Sequence, residues 1–129
     1  MYIVSDIERI KKVIKKVLNK HKIKADISIC NNYRAIMVCN DAENEDDILY
    51  IWIRILNIPN TNSYIIDISN ICLPENKRRT GVFTNLYNEL SKCKYVDKIR
   101  IISVCTYEMK NWCITHGLIP YNDGNDYTN

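Results

Sequence analysis

Glycine and proline are scarce in this sequence, three of each in 129 residues. That shortage excludes collagen-like repeats and long flexible linkers, which are built from those residues. Histidine is scarcer still, at two. Cys113-x-x-His116 shares a helix face, but no C-x-x-C or second ligand pair joins it, so no metal site is expected. No apolar run approaches the roughly 18 residues of a membrane span. A strong excess of one charge is also missing: 18 Lys and Arg stand against 15 Asp and Glu, a formal +3. So mild a balance does not by itself argue for nucleic acid, although it suits an anionic ligand. Met1-Tyr2-Ile3-Val4 runs straight into a charged helix, without the pattern of a signal peptide. The six cysteines are therefore expected as free thiols in a reducing, cytoplasmic setting.

The rest of the composition, 47% hydrophobic and 26% charged, fits a single α+β domain over residues 1–129. Met1 to Val4 reads as a short strand. Ser5-x-x-Glu8 has the form of a capping box, and Ile7, Ile10, Ile14 and Val17 recur at helical spacing, so a helix is expected from Asp6 to about His21. Its other face carries Arg9, Lys11, Lys12, Lys15, Lys16 and Lys20, the pattern of a solvated face. No aromatics interleave with these lysines, which counts against a nucleic-acid contact. Ala25 to Cys30 and Tyr33 to Cys39 are β runs joined through Asn31-Asn32, residues that tolerate positive φ. An acidic loop over Asn40 to Asp47 precedes a longer strand, Ile48 to Ile58.

The stretch Ser63 to Val104 organises the chain. Tyr64 to Leu73 is a β-branched run ended by Pro74. A basic turn follows, Lys77-Arg78-Arg79-Thr80-Gly81. Val82, Phe83, Leu86, Tyr87 and Leu90 then mark a helix face, and Tyr95 to Val104 is a second strand. Strand, helix and strand at this separation form a right-handed βαβ unit. Its helix start offers free N–H groups and the positive end of the helix dipole to an anion. Thr106 to His116 is the next helix, with Thr106 as N-cap and Gly117 as the left-handed residue beyond its end. Leu118 to Tyr121 reads as one short closing strand, and Asn122 to Asn129 as a frayed polar tail. The sheet is expected to be mixed, antiparallel first and parallel where the βαβ unit closes.

Arg78-x-x-Gly81-x-Phe83 resembles the Gln/Arg-x-x-Gly-x-Gly/Ala signature of the GNAT superfamily, the acyl-CoA-dependent N-acetyltransferases. The resemblance extends over Ser63 to Tyr121, with Leu73-Pro74-Glu75 in place of the family's proline-containing turn and Gly117-Leu118 in place of its Gly-Phe. It implies a GNAT-like mixed sheet flanked by helices. It further implies acetyl-CoA as co-substrate and an amine acceptor, protein or small molecule. The family has two strands after its last helix, so room for one here implies an abbreviated C-terminus, the other lost or supplied by a partner chain, as in a homodimer.

The resemblance also implies roles. Amides of Arg78, Arg79, Thr80, Gly81, Val82 and Phe83 would hold the pyrophosphate, with Cys72 and Leu73 leading into the site. Thr84 would add a hydroxyl, and Lys77 or Arg79 a phosphate ion pair. Phe83 replaces the family's small residue, which is harmless if it points into the core. Thr106 falls where an Asn contacts the pantetheine arm. Asp67, eleven positions before Arg78, is the base candidate; the competing reading is an outward-facing strand residue. Cys113 falls where the family has its acid tyrosine and is the acid candidate, with Tyr107 and Tyr121 as substitutes; the competing reading is a buried structural cysteine. Two further functions stay open: a non-catalytic GNAT-like domain that binds another protein, and a nucleic-acid-binding α+β domain, whose aromatic-basic strand motif is missing.

Overall fold

The computed structural model of the chain describes residues 4–129. Among them the elements run α1 (Val4–Lys20), β1 (Asp26–Cys30), β2 (Ala35–Cys39), β3 (Tyr50–Asn57), β4 (Tyr64–Cys72), α2 (Val82–Ser91), β5 (Val96–Ile101), α3 (Tyr107–Thr115), β6 (Ile119–Tyr121) and β7 (Asp126–Thr128). The strand expected at Met1 to Val4 falls outside the described residues, apart from Val4, which opens α1. Ser5 is consequently inside the helix rather than its cap. The first-turn carboxylate of Asp6 instead accepts a hydrogen bond from the Tyr64 hydroxyl at 2.5 Å and pairs with Arg9. That buried contact ties α1 to the start of β4, 58 positions away in sequence.

The seven strands form one mixed sheet in the order β1-β2-β3-β4-β5-β7-β6. β1 to β4 are successively antiparallel, β4 and β5 are parallel, and β7 lies antiparallel between β5 and β6. The parallel pair is joined through α2, as the βαβ reading requires. Asn31 and Asn32 take φ of 53° and 55° in the first hairpin, as expected of Asn, and Tyr33 joins them at 64°.

Period-two alternation sorts the strand residues between two faces. Ile36, Val38, Ile51, Ile53, Ile55, Ile66, Ile68, Ile99, Ile101 and Tyr127 project to one face and are buried. The three helices cover that face: Ile7, Ile10, Ile14, Val17 and Leu18 of α1, Val82, Phe83, Leu86 and Leu90 of α2, and Cys113 of α3 join the same apolar cluster. The other face holds Trp52, Arg54, Ile65, Asp67 and Arg100. There only Ala35, Asp67 and Asp126 are buried among the strand residues. The helices thus lie on one side of the sheet instead of flanking it.

The C-terminus departs from expectation. The segment expected as a frayed tail forms β7, inserted between β5 and β6. The carboxylate of Asp126 accepts from the Ser103 N–H at 2.8 Å and from the Asn122 amide at 2.6 Å, and Tyr127 is 5% exposed. Two strands therefore follow α3; neither is missing, and none has to come from a partner.

Candidate functional site

β4 and β5 pair from Tyr64/Val96 to Ile68/Ile101, and the Ile102 N–H donates to the Ile68 carbonyl at 2.9 Å. There they part. β5 ends at Ile101, while β4 continues to Cys72 alongside β3 alone. A bulge lies in this continuation: two residues of β3, Trp52 and Tyr50, oppose Ser69 and Cys72, so β4 carries one extra residue, and Asn70 has φ of 52°. A bulge bends its strand and turns backbone groups out of the ladder. The β5 side of Ser69 to Cys72 is left without a strand partner among the described residues.

The basic turn follows directly. Three of its side chains hold the turn itself. The Lys77 ammonium donates to the His21 carbonyl at 2.8 Å, satisfying a C-terminal carbonyl of α1 where a cation is favoured. Arg78 Nε donates to the Leu73 carbonyl at 3.0 Å, and the Thr80 hydroxyl to the Lys77 carbonyl at 2.6 Å. Arg79 remains exposed, in a left-handed conformation at φ 60°. Gly81 is the N-cap of α2 at φ 88°, a region that favours glycine. No side chain caps α2. The first N–H directed back along the helix is that of Asn85, to the Gly81 carbonyl at 2.9 Å. The amides of Val82, Phe83 and Thr84 precede it and have no intrahelical acceptor. A Cβ at Gly81 would meet nothing within 4 Å, so the space beside this residue is open, while Val82 and Phe83 are themselves buried.

Phe83 points into the core, 5% exposed and edge-on to Trp112 at 4.7 Å between ring centres. Its bulk is therefore turned away from the helix start. Trp112 was not singled out from the sequence. Its indole N–H donates to the Thr84 hydroxyl at 2.9 Å, its ring packs against Tyr87, and His116 stacks on it at 4.1 Å. This aromatic cluster holds α3 against α2. The Thr106 hydroxyl caps α3 by accepting from the Met109 N–H at 3.2 Å, and Cys72 Sγ contacts the Ile48 carbonyl.

The base candidate Asp67 and the acid candidate Cys113 are not brought together: Asp67 is on the open face of the sheet and Cys113 in the apolar core. Asp67 is 3% exposed, on the open face, one residue before the strands part. Both its oxygens are engaged: Arg100 approaches side-on through Nε and Nη2 at 2.5 and 2.8 Å, and Arg54 Nη2 donates at 3.1 Å. The same contact pushes the Arg100 pKa up. Cys113 is fully buried, and burial pushes its thiol up to about 11. Tyr107 is 80% exposed at the first turn of α3. Tyr121 is different: its hydroxyl oxygen is buried and has no hydrogen-bond partner among the described residues. Burial raises its pKa, Arg100 opposes that shift, and Asp126 and Asp67 add to it. Tyr121 therefore sits in the field of the Asp67–Arg100 cluster, a juxtaposition created when β7 carries β6 to β5.

Among the described residues, no group of three or more His, Cys, Asp or Glu is placed to hold a metal ion, and no helix is long and apolar enough to cross a membrane. All six cysteines are unpaired thiols. A cavity of about 320 Å³ opens elsewhere, between α1 and β1, and shares no residue with the turn. No protein-family model matches the chain, and no curated protein matches it significantly.

Proposed function

We propose that the protein is a small cytoplasmic N-acetyltransferase of GNAT type, which transfers an acetyl group from acetyl-CoA to a primary amine. The observation that carries this reading is the uncapped start of α2, where three amides lack an intrahelical acceptor behind a turn bearing the exposed Arg78 and Arg79. Free helix-start amides, a dipole end and guanidinium groups are what a pyrophosphate requires. The two strands after α3 also agree with the family's plan as the sequence resemblance gives it.

When bound, acetyl-CoA supplies the acyl group as a thioester. The residues here have simpler tasks. The amides of Val82, Phe83 and Thr84 hold phosphate oxygens. Arg79, exposed and without a hydrogen bond or ion pair among the described residues, adds charge, whereas Lys77 and Arg78 shape the turn. Asp67 as a base acting through water has to release Arg54, whose contact is the longest of its three. For the acid, the Tyr121 hydroxyl, buried without a hydrogen-bond partner among the described residues on the open face of the sheet that also holds Asp67, is a better candidate than the Cys113 thiol, which lies in the apolar core.

The test is ligand-induced stabilisation followed by turnover. A ligand that binds only the native state raises the melting temperature, by about 2.7 kcal/mol of stability at a hundredfold excess over Kd. Acetyl-CoA should give such a shift, and Arg79→Glu should abolish most of it while leaving the unliganded melt unchanged. No shift in the wild-type protein would remove the cofactor site. A shift without amine-dependent thiol release, across lysine peptides, N-terminal peptides and polyamines, would favour the non-catalytic alternative.

A further inference from the structure

At the edge of the sheet opposite β6, strand β1 has a strand neighbour on one side only among the described residues. The register shows what its free side offers. The Arg34 carbonyl accepts from the Ile55 N–H at 2.8 Å, so even-numbered residues of β2 turn their backbone groups to β3. Ala35, Met37 and Cys39 then turn theirs to β1, where they meet Cys30, Ser28 and Asp26. Alternation along the ladder aims the N–H and C=O groups of Ile27 and Ile29 outward. β1 has no proline, no lysine and no break in register to block pairing, and Asp26 at its start is its single charge.

The cavity of about 320 Å³ runs beside this edge, between α1 and β1. Leu18, Ile23 and Ile27 give it an apolar floor, and Lys11, Lys15 and Lys24 line its rim, with Asp26 the single opposing charge. Lys12, Lys16 and Lys20 extend the positive field along α1.

We propose that β1 and this groove dock an extended, acidic segment of another protein, which adds to the sheet as an eighth strand. Main-chain hydrogen bonds to Ile27 and Ile29 would set its register. Alternate side chains of an added strand point to the helix side, where the groove takes apolar groups and the lysine rim takes carboxylates. Charge complementarity selects this occupant over a second copy of the chain, because β1 against β1 brings two lysine-lined helices together. It is selected over nucleic acid because no residue lining the groove is aromatic. The site is independent of the acetyltransferase reading.

The experiment uses the full chain and short fluorescent peptides in which every second residue is in turn Val or Ile and then Glu, Ser or Lys, with Thr between, so that both kinds fall on one face of the added strand. Fluorescence anisotropy measures affinity, and hydrogen exchange locates the site. The Glu series should bind at least about tenfold more tightly than the Lys series and weaken as salt screens the rim. The amides of Ile27 and Ile29 should become protected. The double variant Lys15→Glu/Lys24→Glu, at two exposed side chains, should melt like the wild type and reverse the preference toward the Lys series. The proposal is overturned if no series binds, if Glu and Lys peptides bind equally, or if protection arises away from β1. Self-association that the double variant abolishes would assign the groove to a second copy. An oligonucleotide that outcompetes the Glu peptides would assign it to nucleic acid.

Discussion

Asp67→Asn divides a structural role for this carboxylate from a catalytic one. The substitution keeps the size of the side chain but removes its charge and turns an amide NH₂ toward guanidinium donors. Asp67 is 3% exposed, whereas the side chains of Arg100 and Arg54 are 29% and 53% exposed. Removing one partner of a buried ion pair costs about 3–5 kcal/mol. Partial hydration of Arg100 softens that figure, and the half-exposed Arg54 contributes only about 0.5 kcal/mol. A loss of about 2–3 kcal/mol is therefore expected. For a domain of this size that lowers Tm by roughly 8–12 °C. The assay is thermal unfolding by circular dichroism, with urea unfolding as a check that the m-value is unchanged. A partner experiment replaces the pair: Asp67→Leu with Arg100→Met should recover much of the loss, because the charge then left unpaired is Arg54, whose side chain is 53% exposed. A melt for Asp67→Asn within about 2 °C of wild type would refute the structural role. Unchanged stability with a rate loss confined to low pH would identify Asp67 as the base.

Other outcomes follow from the same geometry. Cys113→Tyr should destabilise the protein by at least about 1–3 kcal/mol, since the site is fully buried; the same melts measure it. Folding favours the neutral Cys113 thiol, whose pKa is raised to about 11 from 9.0. Its stabilising contribution is intact below pH 9 and falls as pH rises toward 11, so stability over that range should decline less steeply in Cys113→Ala. Thr84→Val leaves the Trp112 indole N–H without its acceptor and should cost about 1–2 kcal/mol, with a change in tryptophan emission as a second readout. If Tyr121 is the acid, Tyr121→Phe should lower kcat by about 10²–10⁴-fold and leave Tm within about 2 °C; unchanged kcat would exclude that role.

Much of this protein could be read residue by residue, because the signals are local. The helix face of Val82, Phe83, Leu86 and Leu90 is buried as its spacing requires. Thr106 caps α3, and Gly117 takes φ of 75° beyond its end. The parallel pairing of β4 and β5 follows from a strand, a helix and a strand in succession. The βαβ turn and Gly81 were legible for the same reason: each depends on backbone geometry within a few residues.

Contacts across distant positions were not legible. Asp67 alternates with Ile66 and Ile68, which reads equally well as a solvated strand residue or a base. Arg54 and Arg100, 13 and 33 positions away, convert it into a buried ion cluster because strand register sets them on either side. The basic turn lost Lys77 as a free charge because α1 presents the His21 carbonyl to it across 56 positions. Asp126-Tyr127-Thr128 carries too few apolar residues to be recognised as a strand. It becomes one because β5 and β6 offer backbone partners on both sides and Asp126 satisfies Ser103 and Asn122. Local spacing determined which segments form helices and strands; long-range pairing decided which charges meet, since a buried polar group is stable only where the fold supplies its partner.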